Sequence, residues 1–355
     1  MSAVRLLTLG RLPTLAPRQY TGCTTGRGSR HFTTAHLCRM ADANATPATR
    51  RAVLFGGTGF LGKYVARALI QDPNVTVRVV SSQRYPKRAP VWDEMGEQIE
   101  PFVSAEITEP DQVQWACRDA DLVVNLVGIM HEKPPQFTFD NIQHRGAEHV
   151  ARGAKDAGAR LVHVSAIGAD PRAEVPYART KGLGERAVRE VLPDAVVFRP
   201  SIVFGKEDDF FNRFARLAKF LPVMPVFDGG RTRFQPVYVK DLAAGIAKAA
   251  WDDAWKGATI EAGGPRIYTY REIIELTLEE SDQRRNIVSV PWSVGKMQAW
   301  LLEKLPVNLF TITTDQVKLL QHDNVVDKDA KTLRSLGVHL TPAESVLHTW
   351  MYPKP

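Results

Sequence analysis

Tyr177 and Lys181 stand four residues apart in the run Tyr177-Ala178-Arg179-Thr180-Lys181. On a helix that spacing projects both side chains from one face. An ammonium beside a phenol favours the phenolate, so Lys181 is expected to lower the pKa of Tyr177. Tyr177 could then act as a general acid or base, and Lys181 could hydrogen-bond a nicotinamide ribose. Ser165 ends a strand-like run twelve residues earlier, where its hydroxyl could orient a substrate oxygen. A Tyr/Lys pair alone often only decorates a helix surface. It gains chemical meaning from a second feature upstream.

That feature is Gly56-Gly57-Thr58-Gly59-Phe60-Leu61-Gly62, directly after the apolar run Ala52-Val53-Leu54-Phe55. It fits G-x-G-x-x-G from Gly57 and G-x-x-G-x-x-G from Gly56. One glycine turns the chain, one admits a pyrophosphate to the backbone, and one lets helix and strand pack closely. The N–H groups of the helix that follows would face the phosphates. The stretch from Gly56 to Gly62 is therefore a candidate dinucleotide cradle. Asn125, Val127 and Gly128 follow a later strand and would line the same groove.

Cofactor preference is read at the end of the second strand. An acid there would bind the adenosine ribose of NAD. The stretch Val79-Val80-Ser81-Ser82-Gln83-Arg84 has none. Ser81, Ser82 and Arg84 could instead hold a ribose 2′-phosphate, with Arg78, Lys87 and Arg88 nearby. NADPH is thus expected over NAD(H). No metal is expected: the nine histidines show no H-E-x-x-H or comparable spacing. His131, His144 and His149 are expected as surface or capping residues. The absence of a G-x-S-x-G elbow leaves serine hydrolysis unsupported.

These residues need a scaffold that brings strand ends together. Strand-like runs at 51–55, 75–80, 99–103, 121–127, 161–165 and 195–199 alternate with helical patterns at 60–72, 112–118, 141–157 and 177–191. Such alternation predicts an α/β fold, a Rossmann-type doubly wound parallel sheet. A dinucleotide-binding domain over 50–205 would be followed by a smaller, mostly helical, substrate-type domain over 206–355, with 237–250 returning to the first. In the second part, helices are expected at 210–221, 270–281, 292–305 and 313–323. Thr269 and Glu272 form a candidate capping box, and 222–236 reads as irregular. Trp292, Met297, Trp300, Leu301 and Leu305, with Lys296 and Lys304, could form an amphipathic helix facing a partner subunit, a membrane surface or the core.

Residues 1–40 hold six arginines, no lysine and no acid. That is the composition of a mitochondrial transit peptide. The chain carries 46 Lys+Arg against 39 Asp+Glu, or +7; without those six arginines the balance is 40 against 39, or +1. The basic charge therefore sits mostly in the leader and gives no argument for nucleic acid binding. Cys23 and Cys38 fall in the same segment, which leaves Cys117 and excludes a disulfide framework. No apolar run is long enough to span a bilayer.

With the glycine loop, Ser165, Tyr177 and Lys181 in order, residues 51–270 resemble the extended and atypical short-chain dehydrogenases/reductases. Further segments narrow the resemblance: Asn125-Leu126-Val127-Gly128, Ser165 to Asp170, Arg199-Pro200-Ser201-Ile202-Val203-Phe204-Gly205, Glu207 to Phe214, and Phe234 to Asp241. They are similar to the NAD(P)H-binding accessory subunits of mitochondrial respiratory complex I. This resemblance implies a peripheral subunit on the matrix side of the inner membrane, in the matrix arm near the membrane junction and the quinone region. Its partners would be other complex I subunits of the matrix arm and arm junction, and the C-terminal region read above could add a peripheral lipid contact. It implies a tightly held structural NADPH, with Pro200 among the residues at the cofactor. Electron transfer from NADH to ubiquinone would belong to other subunits, and no catalytic residue is expected here. The intact Tyr177/Lys181 pair keeps open the alternative of a free mitochondrial NADP(H)-dependent short-chain reductase or epimerase, with Ser165 assisting. An RNA-binding relative is disfavoured by the near-neutral charge.

Overall fold

The computed structural model describes residues 49–82, 90–293 and 314–351. The arginine-rich leader, Arg84, and most of the expected helix at 292–305 lie outside the described residues.

The chain alternates strand and helix from its first described residues. Strand β1 (Arg50–Phe55) leads through the glycine loop into helix α1 (Gly62–Leu69) and strand β2 (Val75–Ser81). Short β3 (Val103–Ser104), helix α2 (Pro110–Ala116) and β4 (Leu122–Asn125) follow. Then come helix α3 (Gly146–Asp156), β5 (Arg160–Val164), helix α4 (Pro176–Val191) and β6 (Val196–Pro200). The central strands are mostly apolar because helices cover both faces. On one face Ala52, Leu54, Val77 and Val79 pack with Val65 and Leu69 of α1. On the other, Val53, Phe55 and Val123 pack with Val113, Val150 and Val188.

After Pro200 come β7 (Val203–Phe204), helix α5 (Phe211–Phe220), β8 (Val223–Phe227), β9 (Arg233–Phe234) and β10 (Val237–Tyr238). Helix α6 (Val239–Trp251) returns to the main sheet, where Leu242, Ala243, Ile246 and Ala249 join the α1 side of the core. Strands β11 (Thr259–Ala262) and β12 (Tyr268–Thr269), helix α7 (Tyr270–Glu280), β13 (Asn286–Val290), helix α8 (Thr314–Leu319) and β14 (Lys331–Thr332) complete the series. Thr269 and Glu272 make the expected reciprocal capping box on α7. The principal sheet runs β14-β11-β6-β5-β4-β1-β2-β3, and every neighbouring pair in it is parallel. Strand β1 lies between β2 and β4, so the chain order reverses there. A doubly wound sheet opens its ligand crevice at that point, beyond the carboxyl ends of the strands.

Three expectations are corrected. The segment 222–236 is not irregular: it holds β8, which pairs in parallel with β13. Proline at 225 is exposed, and each strand of a two-stranded ribbon has a free edge, where proline is tolerated. The last hundred residues are not mostly helical among the described residues. They supply β11 and β14 to the principal sheet, and β13 to the ribbon. The third strand forms a ladder only at Val103–Ser104, with Ile99 making a single bridge to Val77.

Candidate nucleotide site

Phe55 and Asn125 end β1 and β4 as register partners, so the glycine loop and the Asn125–Gly128 turn emerge side by side. Gly56 has φ +75°, and a Cβ there would lie 3.2 Å from the Val127 nitrogen. A side chain at this position would be strained and crowded at once. The turn closes with Gly59 N donating to Gly56 O at 3.0 Å. Gly62 opens α1 so close to the strand that a Cβ would overlap the Gly57 carbonyl. Thr58 and Gly59 are exposed at the loop tip. Phe60 and Leu61 lead back into α1, and the Phe60 ring lies against Gly205. Lys63 and Tyr64, one turn on, both reach Glu207 at 2.7 Å. The loop is thereby tied to the segment after β7.

Along the groove, Asn125 is buried, and its side-chain oxygen accepts from Val127 N at 3.1 Å. Its amide faces His163 Nδ1 at 3.3 Å. Burial, with Lys181 and Arg189 nearby, pushes His163 down to about 3, so its ring is neutral. Lys181 is itself buried and donates to the Val164 carbonyl at 3.3 Å. Its ammonium would stand 3.0 Å from a Cβ at Gly128. Burial pulls Lys181 down to about 8, partly opposed by Glu185. Ser165 follows β5, and Ile167 N donates to the carbonyl of Pro200 at the end of β6. Glu185 clamps Arg199 with bonds of 2.9 and 2.6 Å, which fixes α4 against β6.

Tyr177 sits in the first turn of α4, edge-on to Phe139 with ring centroids 5.9 Å apart. Here the electrostatic expectation is corrected. Burial pushes the Tyr177 phenol up to about 12 rather than down. Burial alone accounts for the shift, and Lys181 contributes nothing that offsets it. Arg78 also departs from its expected place. Its guanidinium donates to Glu100 at 3.1 Å and to the Arg118 carbonyl at 2.8 Å. It is held away from any 2′-phosphate. Ser81 is buried at the end of β2 and Ser82 is exposed beyond it.

Gln143 and His163 belong to the site without having been picked out by motif. Gln143 lies in a π-helical turn, Asp140–Arg145, ahead of α3. Such turns recur at functional sites. Its amide donates to Thr180 at 3.0 Å, and its carbonyl oxygen would stand 3.7 Å from a Cβ at Gly128. Gln143 Oε1, His163 Nε2 and Ser165 Oγ are all buried without a hydrogen-bond partner. Unpaired buried polar atoms are costly unless something completes them. A dinucleotide fits that demand: the glycine cradle would take the pyrophosphate, and Lys181 with the orphaned atoms would hold the ribose and nicotinamide. When bound, such a cofactor supplies hydride chemistry. Among the described residues no cluster could hold a metal ion. His144 pairs with Asp140, and His149 bonds the Ile107 carbonyl.

The model of the NAD dependent epimerase/dehydratase family matches residues 52–263. The chain is similar to the 40 kDa subunit of mitochondrial NADH-ubiquinone oxidoreductase from Neurospora crassa, at 31% identity over 85% of this chain and 78% of that protein. It is similar to the mitochondrial NADH dehydrogenase (ubiquinone) 1 alpha subcomplex subunit 9 of Mus musculus, at 30% identity over 97% of this chain and 91% of that one. The UDP-glucose 4-epimerase of Thermus thermophilus, solved with NAD, shares the fold with a TM-score of 0.55, 21% identity, and coverage of 68% and 86% of the two chains.

Proposed function

The chain belongs to the NAD dependent epimerase/dehydratase family, among relatives of the 40 kDa and alpha subcomplex subunit 9 proteins of mitochondrial NADH-ubiquinone oxidoreductase, and from that premise we propose its role. It is an accessory subunit of respiratory complex I that holds NADPH as part of its fold. The observation that carries this reading is the likeness to the Neurospora 40 kDa subunit, at 31% identity along 85% of the chain. It sits on the matrix side of the inner membrane, in the matrix arm near the membrane junction and quinone region, with its C-terminal region toward lipid. No described helix is long and apolar enough to cross a membrane. Cys117 is buried with its thiol pushed up to about 12, so it offers no thiolate to a redox cluster. The adenosine end, Ser81 and Ser82 with no acid beside them, suits the 2′-phosphate of NADPH, and Arg84 would complete it.

The site offers a nucleotide hydrogen-bond donors rather than a base. A phenol near 12 stays protonated at neutral pH and donates a hydrogen bond rather than accepting a proton. Native gel separation of mitochondrial membranes should find the chain in a very large assembly. Mass analysis of nucleotide released from that assembly should give NADPH. Recovery only as a free monomer or dimer would overturn the subunit role, and recovery of NAD alone would overturn the cofactor choice. The intact set of Ser165, Tyr177 and Lys181 supports a second reading, a free NADP(H)-dependent reductase or epimerase. Turnover on a metabolite panel that disappears in Tyr177→Phe would favour it.

A further inference from the structure

Among the described residues, the ribbon of β8 and β13 has one exposed face. Register pairs Val223 with Asn286 and Pro225 with Val288, and all four are exposed. The alternate residues Met224 and Val226 are buried in the core below. Parallel strands are normally covered on both faces, because each face is apolar. Here Val223 keeps 39% of its surface exposed and Val288 44%. Phe220, the last residue of α5, is 69% exposed and lines a cleft with Asn286 and Ile287 of β13. A phenylalanine that open is a poor choice for water and a good one for an apolar boundary.

A cleft of about 710 Å³ adjoins this face, between the end of α5, the start of β13 and helix α7. Its lining carries four cations, Lys219, Arg271, Arg284 and Arg285, and one acid, Glu275. Arg271 holds that acid at 2.9 Å, and Arg285 donates to the Leu221 carbonyl at 3.0 Å. Lys219 and Arg284 have no acidic partner among the described residues. Positive charge and exposed apolar side chains thus meet at one edge. That combination matches the headgroup boundary of an anionic bilayer: the apolar groups enter the acyl region and the cations face phosphates. An acidic protein surface would satisfy the cations but not the phenylalanine and valines.

We propose that this face, formed by Phe220, Val223 and Val288 with Lys219 and Arg284, docks on an anionic phospholipid membrane. The proposal rests on the inner-membrane placement above and supplies its contact surface. Each basic side chain near an anionic surface adds enough attraction that losing two lowers partitioning about 30-fold. The test is co-sedimentation of the mature chain, without its arginine-rich leader, with vesicles of phosphatidylcholine alone, or of equal parts phosphatidylcholine and phosphatidylglycerol. Binding is expected only to the anionic vesicles and should weaken with salt. Lys219→Ala with Arg284→Ala should lower it about 30-fold, and Phe220→Ala about tenfold. Trp115→Ala removes another exposed aromatic side chain and should leave binding unchanged. Circular dichroism and melting of each variant report whether it is folded.

Binding that ignores both the paired-alanine and Phe220→Ala changes would overturn the proposal. So would displacement by millimolar inorganic phosphate, which would mark a single-anion pocket. If vesicles are not bound, but the variants drop out of the large assembly on native gels, a protein neighbour covers this face and the lipid assignment is wrong. In that case the subunit role itself would stand.

Discussion

Lys181 shows how a binding residue burdens the fold that carries it. Its ordinary pKa is 10.5, and burial brings it to about 8. The unfolded chain therefore holds that proton more tightly than the folded one, and the penalty for the buried charge is fully present below pH 8. It shrinks as pH rises from about 8 to 10.5. The difference is worth about 3 kcal/mol at neutral pH, counted at the usual value per unit. Lys181→Met should thus stabilise the nucleotide-free chain at pH 7 while weakening NADPH binding. Thermal melts with and without nucleotide check both signs, and a variant that melts lower without nucleotide would contradict the argument. Bound phosphates and ribose favour the charged amine, so wild-type NADPH affinity should fall as pH rises through about 8. Calorimetric titration across that range measures it. The Tyr177/Lys181 pair was legible in sequence because both lie on one helix, four residues apart. Its electrostatics were not, since burial alone sets the phenol's shift. Gln143 and His163 carry no motif. They reach the site only when Thr180 and Asn125 are folded against them, 37 and 38 residues away in the chain.

At the scale of elements, two glycines in one loop should fail differently. Gly62 packs α1 onto the strand, and a Cβ there meets the Gly57 backbone, which cannot step aside. Gly62→Ala should cost about 2–3 kcal/mol or more through overpacking, visible as a lower melting temperature even without nucleotide. Gly59 lies exposed at the turn, where a Cβ would find only the Gly56 carbonyl, at 3.2 Å. Gly59→Val should leave the fold nearly intact and block the phosphates. Equal destabilisation by both changes would mean the loop is strained throughout. Glu207, which ties α1 to the segment after β7, is half-exposed. Its loss should cost only about 1 kcal/mol or less. Every strand from β1 to β6 was legible because buried parallel strands are rich in Val, Leu and Phe, though β3 was shortened. Strand β8 was not. Proline and glycine surround it, and its partner β13 lies about sixty residues downstream. Strand β14 pairs over only two residues, Lys331 and Thr332, too short for any periodic signal.

The whole molecule is joined by its last described stretch. Strand β14 covers the outer edge of β11, which would otherwise offer unpaired backbone groups to a second chain. Leu333 and Leu336 pack over Gly245 of α6. Thr341 bonds Asp241 through both its amide, at 2.6 Å, and its hydroxyl, at 3.0 Å. Leu347 is buried farther off, in the core beneath α5 and α7. One segment therefore seals the nucleotide-binding sheet and the C-terminal core at once. Burying Leu333, Leu336, Val338, Leu340 and Leu347 is worth about 2 kcal/mol each, or roughly 10 kcal/mol before entropy is counted. The net stability of a typical domain is about 5–15 kcal/mol. Removing the segment would cancel most of that. A chain ending at Asp327 should therefore lose cooperative unfolding or aggregate through the bared β11 edge, although every proposed nucleotide residue is still present. Melting by circular dichroism, with light scattering on the same sample, decides the matter. If the shortened chain melts in one transition near the full-length temperature, the C-terminal stretch is an appendage. A single transition in the full chain, lost on truncation, would show that the two cores are stable only together.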